Sequence, residues 1–342
     1  MAGLDYPGKL ADLRSWFGDD AECLDYLDWL RWGQGWCCPS CGSVTGWRTR
    51  DGRYVCGGCR RRASVTAGTI FHGTRTPLTV WFEAAWLVST SKAGTSALNL
   101  KRVLGLGSYQ TAWTMLHRYR TVMVDPGRAK LSGIVEVDET FVGGKNKPGK
   151  PGRGAAGKTL VVGAVERRGA RFGRARLAVI GNAKSPTLQA FLQDSIEPGS
   201  TVRTDGLGSY VSAVPAAGMV HEPVNVKRSG VQAHQLLPGI HLLFSLLKRW
   251  LAGTHQSAFD TDHLPAYLDE FIFRFNRRGS RQRGLVFFRL LEAAVAGDPV
   301  TYRDIVANPA PTGVGTPPAG ARAWPGTLAR PPAHRPWRAL RT

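Results

Sequence analysis

The sequence predicts an α/β fold: a mixed sheet with flanking helices, preceded by a small cysteine-bearing module and a helical region. Three observations carry this. Residues 134–142, 159–167 and 174–181 form successive strand-like stretches rich in β-branched and apolar side chains. Later segments switch to the 3.6-residue apolar period of helices. Carboxylates also stand where strands ordinarily exclude charge: Asp138 inside Val137-Asp138-Glu139-Thr140, and Asp205 closing Thr201-Val202-Arg203-Thr204-Asp205.

Residues 1–34 read as an acidic helical segment. The first 28 hold seven acids (Asp5, Asp12, Asp19, Asp20, Glu22, Asp25, Asp28) against Lys9 and Arg14. Residues 35–66 carry Cys38-Pro-Ser-Cys41 and Cys56-Gly-Gly-Cys59, two C-x2-C knuckles separated by 14 residues. Each knuckle turns two thiolates onto one point, and two knuckles complete a closed tetrahedral Zn2+ site. Residues 47–55 alternate like a short hairpin, which makes the module a zinc ribbon. Such an ion supplies folding free energy on the order of 10–16 kcal/mol. Cys37 adjoins the first knuckle as a competing ligand, and Cys23 reads as a core thiol. In a reducing compartment these cysteines are not expected to form disulfides. Arg60, Arg61 and Arg62 follow the second knuckle directly, as a DNA contact.

Residues 74–124 read as helical. Leu78, Trp81, Phe82, Ala85 and Trp86 keep helical spacing after Pro77, which suits a first helical position. A short helix from Gly94-Thr95-Ser96-Ala97-Leu98 ends near Gly105. After Gly107-Ser108 another helix carries Ala112, Trp113, Leu116 and His117, led by Tyr109, Gln110 and Thr111. The pair is either a helix-turn-helix reading DNA or an ordinary helical hairpin packed on the core. His72 and His117 are assigned structural places only.

Residues 130–305 form the main domain. Its three strands are followed by a helix with Ser185 as N-cap, Pro186 in the first turn and Leu188, Phe191 and Leu192 on the apolar face. Next come the strand ending at Asp205, a short strand near 221–227, and a long helix from about Gly239 to Leu251. That order is the order of a ribonuclease-H-like sheet, in which the first and fourth strands are neighbours. Asp138 and Asp205 would then meet at one end of the sheet, an expensive arrangement without a cation between them. On the long helix His241, Ser245 and Lys248 are spaced i, i+4, i+7 and share one face. Leu242, Leu243, Leu246 and Leu247 are expected to bury against the sheet.

Charge points to the partner. The chain has 45 Lys and Arg against 25 Asp and Glu, a net +20 and a pI near 10.3, with the excess lying outside the first 28 residues. That is the signature of a polyanion binder, nucleic acid first. Lys145, Lys147, Lys150, Arg153 and Lys158 lie in a stretch with no acid between Glu139 and Glu166. Each phosphate they contact should steepen the log–log salt dependence by about 0.9. Residues 152–159 satisfy the phosphate-loop pattern G-x4-G-K-[ST] literally. The strand-like Leu160-Val161-Val162 follows where that loop needs a helix, which argues against NTPase activity. Arg274, Arg277 and Arg278 alternate with Phe271, Phe273 and Phe275 before Arg281, Arg283 and Arg289. No apolar run reaches the ~18–20 residues of a membrane span and no signal-peptide pattern is present, so a cytoplasmic, nucleoid-associated protein is expected. Residues 308–342, Pro-rich and without acids, read as a disordered basic tail.

Several stretches together resemble one family. Cys38-Pro-Ser-Cys41-Gly42, Cys56-Gly-Gly-Cys59, Ser64-Val-Thr-Ala-Gly-Thr-Ile-Phe71, Val135-Glu-Val-Asp-Glu-Thr-Phe-Val-Gly-Gly144 and Tyr267-Leu-Asp-Glu-Phe-Ile-Phe-Arg-Phe-Asn-Arg-Arg278 are similar to DDE-class insertion-sequence transposases with an N-terminal zinc ribbon, the ISXO-type group. The likeness covers roughly residues 20–305. It implies a DNA transposase that binds terminal inverted repeats of double-stranded DNA and performs two-metal phosphoryl transfer with Mg2+ or Mn2+. The first two catalytic carboxylates fall on Asp138 and Asp205, the variable third position on His241, and the characteristic lysine on Lys248. Leu246 departs from the Asn that similar chains often carry there. Joining two ends implies a homodimer or higher oligomer on DNA. Two rival readings compete: a zinc-ribbon and helix-turn-helix DNA-binding regulator, and a decayed transposase that only binds DNA.

Overall fold

A computed structural model describes residues 1–125, 127–143, 158–224, 232–257 and 259–307. They fall into two compact units, Met1–Gly127 with Gly279–Ala307, and Arg128–Arg278.

The first unit begins with α1 (Leu10–Trp16) and α2 (Asp20–Trp32), the latter capped by the Asp19 carboxylate accepting from the Glu22 amide at 2.9 Å. A three-stranded antiparallel ribbon follows: β1 (Gly46–Arg48), β2 (Tyr54–Cys56) and β3 (Arg62–Ala63). Three helices come next: α3 (Leu78–Thr90), α4 (Ala97–Val103) and α5 (Tyr109–Thr121). Pro77 stands at the N-cap of α3, one residue earlier than its spacing suggested. Ser96 and Ser108 cap α4 and α5 by accepting from the Asn99 and Thr111 amides. α4 and α5 pack on each other about Gly105, whose φ of +63° suits glycine, and Tyr109 stays half exposed.

The sheet domain was expected to run to residue 305, yet the second unit closes at Arg278. The helix over Arg283–Ala296 belongs to the first unit, where it packs on α2 and α3. The reason is its apolar face: Phe287, Leu290 and Leu291 are fully buried, and Phe287 joins Phe17, Phe82 and Trp86 in one aromatic cluster.

The second unit is built on a five-stranded sheet ordered β6-β5-β4-β7-β8. Strands β4 (Ile134–Val142), β5 (Thr159–Arg168) and β6 (Arg171–Ile180) form an antiparallel meander. β7 (Thr201–Thr204) runs parallel beside β4, and β8 (Val220–Pro223) parallel beside β7. The first and fourth strands of the sheet are thus neighbours, as in a ribonuclease-H-like fold. On one face Val135, Val137, Val162 and Ala164 pack with α6 (Ser185–Ser195) and α7 (Gly208–Ala216). On the other Val142, Val161, Val165 and Leu177 pack with α8 (Pro238–His255) and α9 (Leu264–Asn276). Alternation along β4 therefore aims Glu136, Asp138 and Thr140 at the α8 face.

Some local expectations shift. Lys184, not Ser185, is the N-cap of α6; the Ser185 hydroxyl donates instead to the Ser209 carbonyl at 2.7 Å. The long helix reaches from Pro238 to His255. Leu243 and Leu247 bury fully, whereas Leu242 is 45% exposed. The buried stripe runs through Ile240, Leu243, Phe244, Leu247 and Leu251, which leaves Leu242 about 160° from its centre, on the far side of the helix. α7, a Gly/Ser-rich helix with Pro215 inside it, had no clear periodic signal.

Candidate active site and zinc centre

The ribbon brings four thiols together. Sγ atoms of Cys38, Cys41, Cys56 and Cys59 all lie within 4.8 Å of one another, with Cys38–Cys59 at 3.7 Å and Cys41–Cys56 at 3.6 Å. Tetrahedral thiolate ligands about 2.3 Å from zinc sit ~3.8 Å apart, so the donor set fits. The Cys59 amide donates to Cys56 Sγ at 3.3 Å and lowers that thiol to about 6, favouring the thiolate a metal needs. Cys37 is exposed and directed at the Gly42 carbonyl, outside the cluster, while Cys23 is fully buried with its thiol pushed up by burial. Two acids of α2 serve this module. Asp25 pairs with Arg48 at 2.6 Å, and Asp28 accepts from the Tyr54 hydroxyl at 3.1 Å. Arg60, Arg61 and Arg62 are exposed, and the Arg60 guanidinium lies 5.7 Å from the centroid of the half-exposed Trp47 ring.

In the second unit the two predicted aspartates converge. The last paired residues of β4 and β7 are Glu136 and Arg203; two residues further on stand Asp138, still within β4, and Asp205, just past the end of β7. The Asp138 side chain is only 16% exposed, and its Oδ1 accepts from the Glu139 amide at 2.8 Å. Asp205 closes a tight turn: its Oδ1 accepts from the Leu207 amide at 2.9 Å, and Gly206 takes a φ of +79°. The Gly206 amide donates to Thr204 Oγ1 at 3.2 Å, and that hydroxyl lies 2.9 Å from His221 Nε2.

Helix α8 supplies the third side. His241 Nε2 lies 4.0 Å from Asp138 Oδ2, and the Lys248 ammonium is near enough to lower the Asp138 pKa. Gly163 permits this approach, because a Cβ there would meet Phe244 at 2.8 Å and Ile240 at 2.9 Å. Gly163 is also the register partner of Asp138 on β5.

Burial pushes the Asp138 carboxyl up to about 7; Glu139 and Asp205 raise it further, while the Glu139 amide and Lys248 oppose them. Lys248 is depressed by partial desolvation and by Lys158, which places Lys158 at the same rim. Carboxylate oxygens and an imidazole nitrogen are competent donors to a divalent cation, while among the described residues only the four cysteines lie close enough together to enclose an ion as they stand. Glu139 points to the opposite face, as alternation requires, and accepts from the Tyr210 hydroxyl at 2.8 Å.

Of the basic stretch only Lys158 falls within the described residues; Lys145, Lys147, Lys150 and Arg153 lie outside them, as does 308–342. Thr159, at the end of the phosphate-loop pattern, opens β5 rather than a helix. Glu270 is fully buried with Arg274 Nε at 3.6 Å, a structural pair within α9.

Sequence reasoning missed Glu136. It is completely buried, and its Oε2 accepts from the Gly239 and Ile240 amides at 2.7 and 3.0 Å. Alternation from Asp138 was the available signal, since it sets Glu136 on the same strand face.

Two stretches of the chain match known families. Residues 130–276 match the ISXO2-like transposase domain, and residues 18–62 match the transposase zinc-ribbon domain. No curated protein matches the chain. With both domains present in this order, the chain belongs to the ISXO2-like, DDE-class insertion-sequence transposases that carry an N-terminal zinc ribbon.

Proposed function

We propose that this transposase binds the terminal inverted repeats of its insertion sequence and catalyses metal-dependent strand cleavage and strand transfer. The observation that carries the reading is the convergence of Asp138, Asp205, His241 and Lys248 at one end of the sheet. Asp138 and Asp205 hold the divalent ions, with His241 as the third corner. An imidazole there suits manganese better than magnesium. When bound, those ions supply an activated water or 3′-hydroxyl and neutralise the leaving oxygen. Lys248, with Lys158 beside it, neutralises the scissile or an adjacent phosphate. Arg60, Arg61 and Arg62 on the ribbon contact the DNA backbone, joined by Lys145, Lys147, Lys150 and Arg153. Two ends must be synapsed, which requires a homodimer or higher oligomer on DNA. A DNA substrate puts the protein in the cytoplasm, at the nucleoid; among the described residues no helix is long and apolar enough to cross a membrane.

The test is cleavage and strand transfer on labelled element ends with Mg2+ or Mn2+. Asp138→Asn and Asp205→Asn should each lower cleavage by about 10²–10³-fold or more, with end binding in a gel-shift assay retained. Undiminished cleavage by either variant would refute the assignment. Specific end binding by a wild-type chain that never cuts would leave a DNA-binding relic.

A further inference from the structure

We propose that Glu136 is a positioning residue: a buried carboxylate that straps the first turn of α8 to the sheet and thereby holds His241 and Lys248 over Asp138. The inference rests on the reading in which those two side chains serve the reaction.

The first amides of a helix have no intrahelical acceptor, and a neighbouring side chain usually caps them. α8 has no such local cap: Leu237 stands at the N-cap without a side-chain bond, and Pro238 follows. Glu136, about a hundred residues away in sequence, fills the role. One of its oxygens accepts from both Gly239 and Ile240, and the negative charge faces the positive end of the helix dipole. Its other oxygen lies 3.7 Å from Arg167 Nη1 on β5, and Arg203 is its register partner on β7. The fit is close. A Cβ at position 239 would fall 3.0 Å from Glu136 Oε2 and 2.6 Å from the Phe172 ring.

The consequence for the site is geometric. Glu136 and Asp138 are neighbours on one face of β4, so a single strand fixes both the first carboxylate and the start of the helix that faces it. His241 immediately follows the two strapped amides, and Lys248 lies two turns further on. Without the strap the strand would keep Asp138 in place, but the first turn of α8 would lose its register against it. A displacement of about 1 Å at a reacting centre can cost about 10²-fold.

A double-mutant cycle in the full chain tests this, with Mn2+ affinity measured by calorimetry without DNA, and kcat and KM measured for cleavage of end DNA. Glu136→Ala should weaken Mn2+ about tenfold and lower kcat, with KM within about twofold of wild type. Glu136→Gln keeps a carbonyl for both amides and should restore most of both. In a His241→Ala background the Glu136→Ala loss in Mn2+ affinity should largely vanish, because the group being positioned is gone. If Glu136→Ala fails to fold, Glu136→Asp, one methylene too short, replaces it in the cycle with the same expectations. Equal losses in both backgrounds, an unaltered Mn2+ affinity and kcat, or a folded Glu136→Gln as defective as Glu136→Ala would each overturn the inference. A wild-type chain that neither binds Mn2+ nor cleaves would sink the functional reading, and this inference with it; an active wild type with additive losses sinks this inference alone.

Discussion

Asp138 is the residue on which the site turns. Strand β4 places it by alternation among Val135, Val137 and Val142, and the fold then shields it, which lifts its pKa to about 7. The sign of the linkage follows. The folded value lies above the unfolded one of about 3.9, so the folded state holds this proton more tightly. Metal-free stability therefore falls as pH rises from about 4 to about 7, and levels off above that. Asp138→Asn removes the penalty. It should raise the unfolding free energy of the zinc-loaded, Mg2+- and Mn2+-free protein at pH 8 by about 1–3 kcal/mol, read as a higher urea midpoint, with the gain shrinking toward pH 5. A pH-independent difference would show that the penalty is not this carboxylate's ionisation. The same substitution is thus expected to help the fold and destroy the chemistry, as befits a group kept for its ligand. Asp138 and Asp205 were legible in the sequence because charge inside or closing a strand is conspicuous. Glu136 was not, because only the docked helix reveals that its carboxylate has two amides to satisfy.

At the scale of elements, the ribbon and α8 illustrate opposite solutions to marginal stability. The ribbon strands are two or three residues long, and β1 is exposed throughout. Its packing is a small aromatic stack, Trp36 on Tyr54 at 5.5 Å, extended by Trp32. Sheets this small do not hold without help, so the ion is expected to carry the fold, at about 10–16 kcal/mol of binding. Chelation of Zn2+, or Cys56→Ser, should unfold residues 35–66 and open Arg48–Arg62 to trypsin, while the strands over 134–142 and 159–180 stay protected. Retained protection of the ribbon after complete metal removal would contradict the zinc-dependent account. α8, by contrast, is long and amphipathic, and its helical period was readable from its leucines, of which Leu243 and Leu247 bury fully. Which of them face the sheet was not readable, as the exposed Leu242 shows, because the rotation of a helix about its axis is fixed by what it docks against.

For the whole molecule, chain order and spatial order part company. Residues 279–307 return to the unit built by the N-terminal segment, although the sequence read them as continuous with the sheet. Gly284 makes the close approach possible. A Cβ there would fall 1.7 Å from the Pro7 carbonyl oxygen and 2.9 Å from its carbon, beside the Tyr6 hydroxyl bond to Gln282. Gly284→Ala should therefore destabilise the first unit by at least about 1–3 kcal/mol. The check is a urea midpoint read from the aromatic cluster around Phe17 and Phe287. An unchanged midpoint would mean the backbone yields at no cost. Net charge belongs to this scale too: an overall +20 was plain from composition, and it concerns partners rather than fold.

The sequence by itself determined the ribbon's ligands, the strand and helix periods, the two aspartates and the basic character of the chain. Each is written in local spacing or in composition, which survive without a fold. Tertiary structure alone decided which helix amides Glu136 would satisfy, how close His241 comes to Asp138, and where the second unit ends. Those depend on parallel strand register and helix docking between segments as much as a hundred residues apart, and pairing at that range leaves no periodic trace in a single chain.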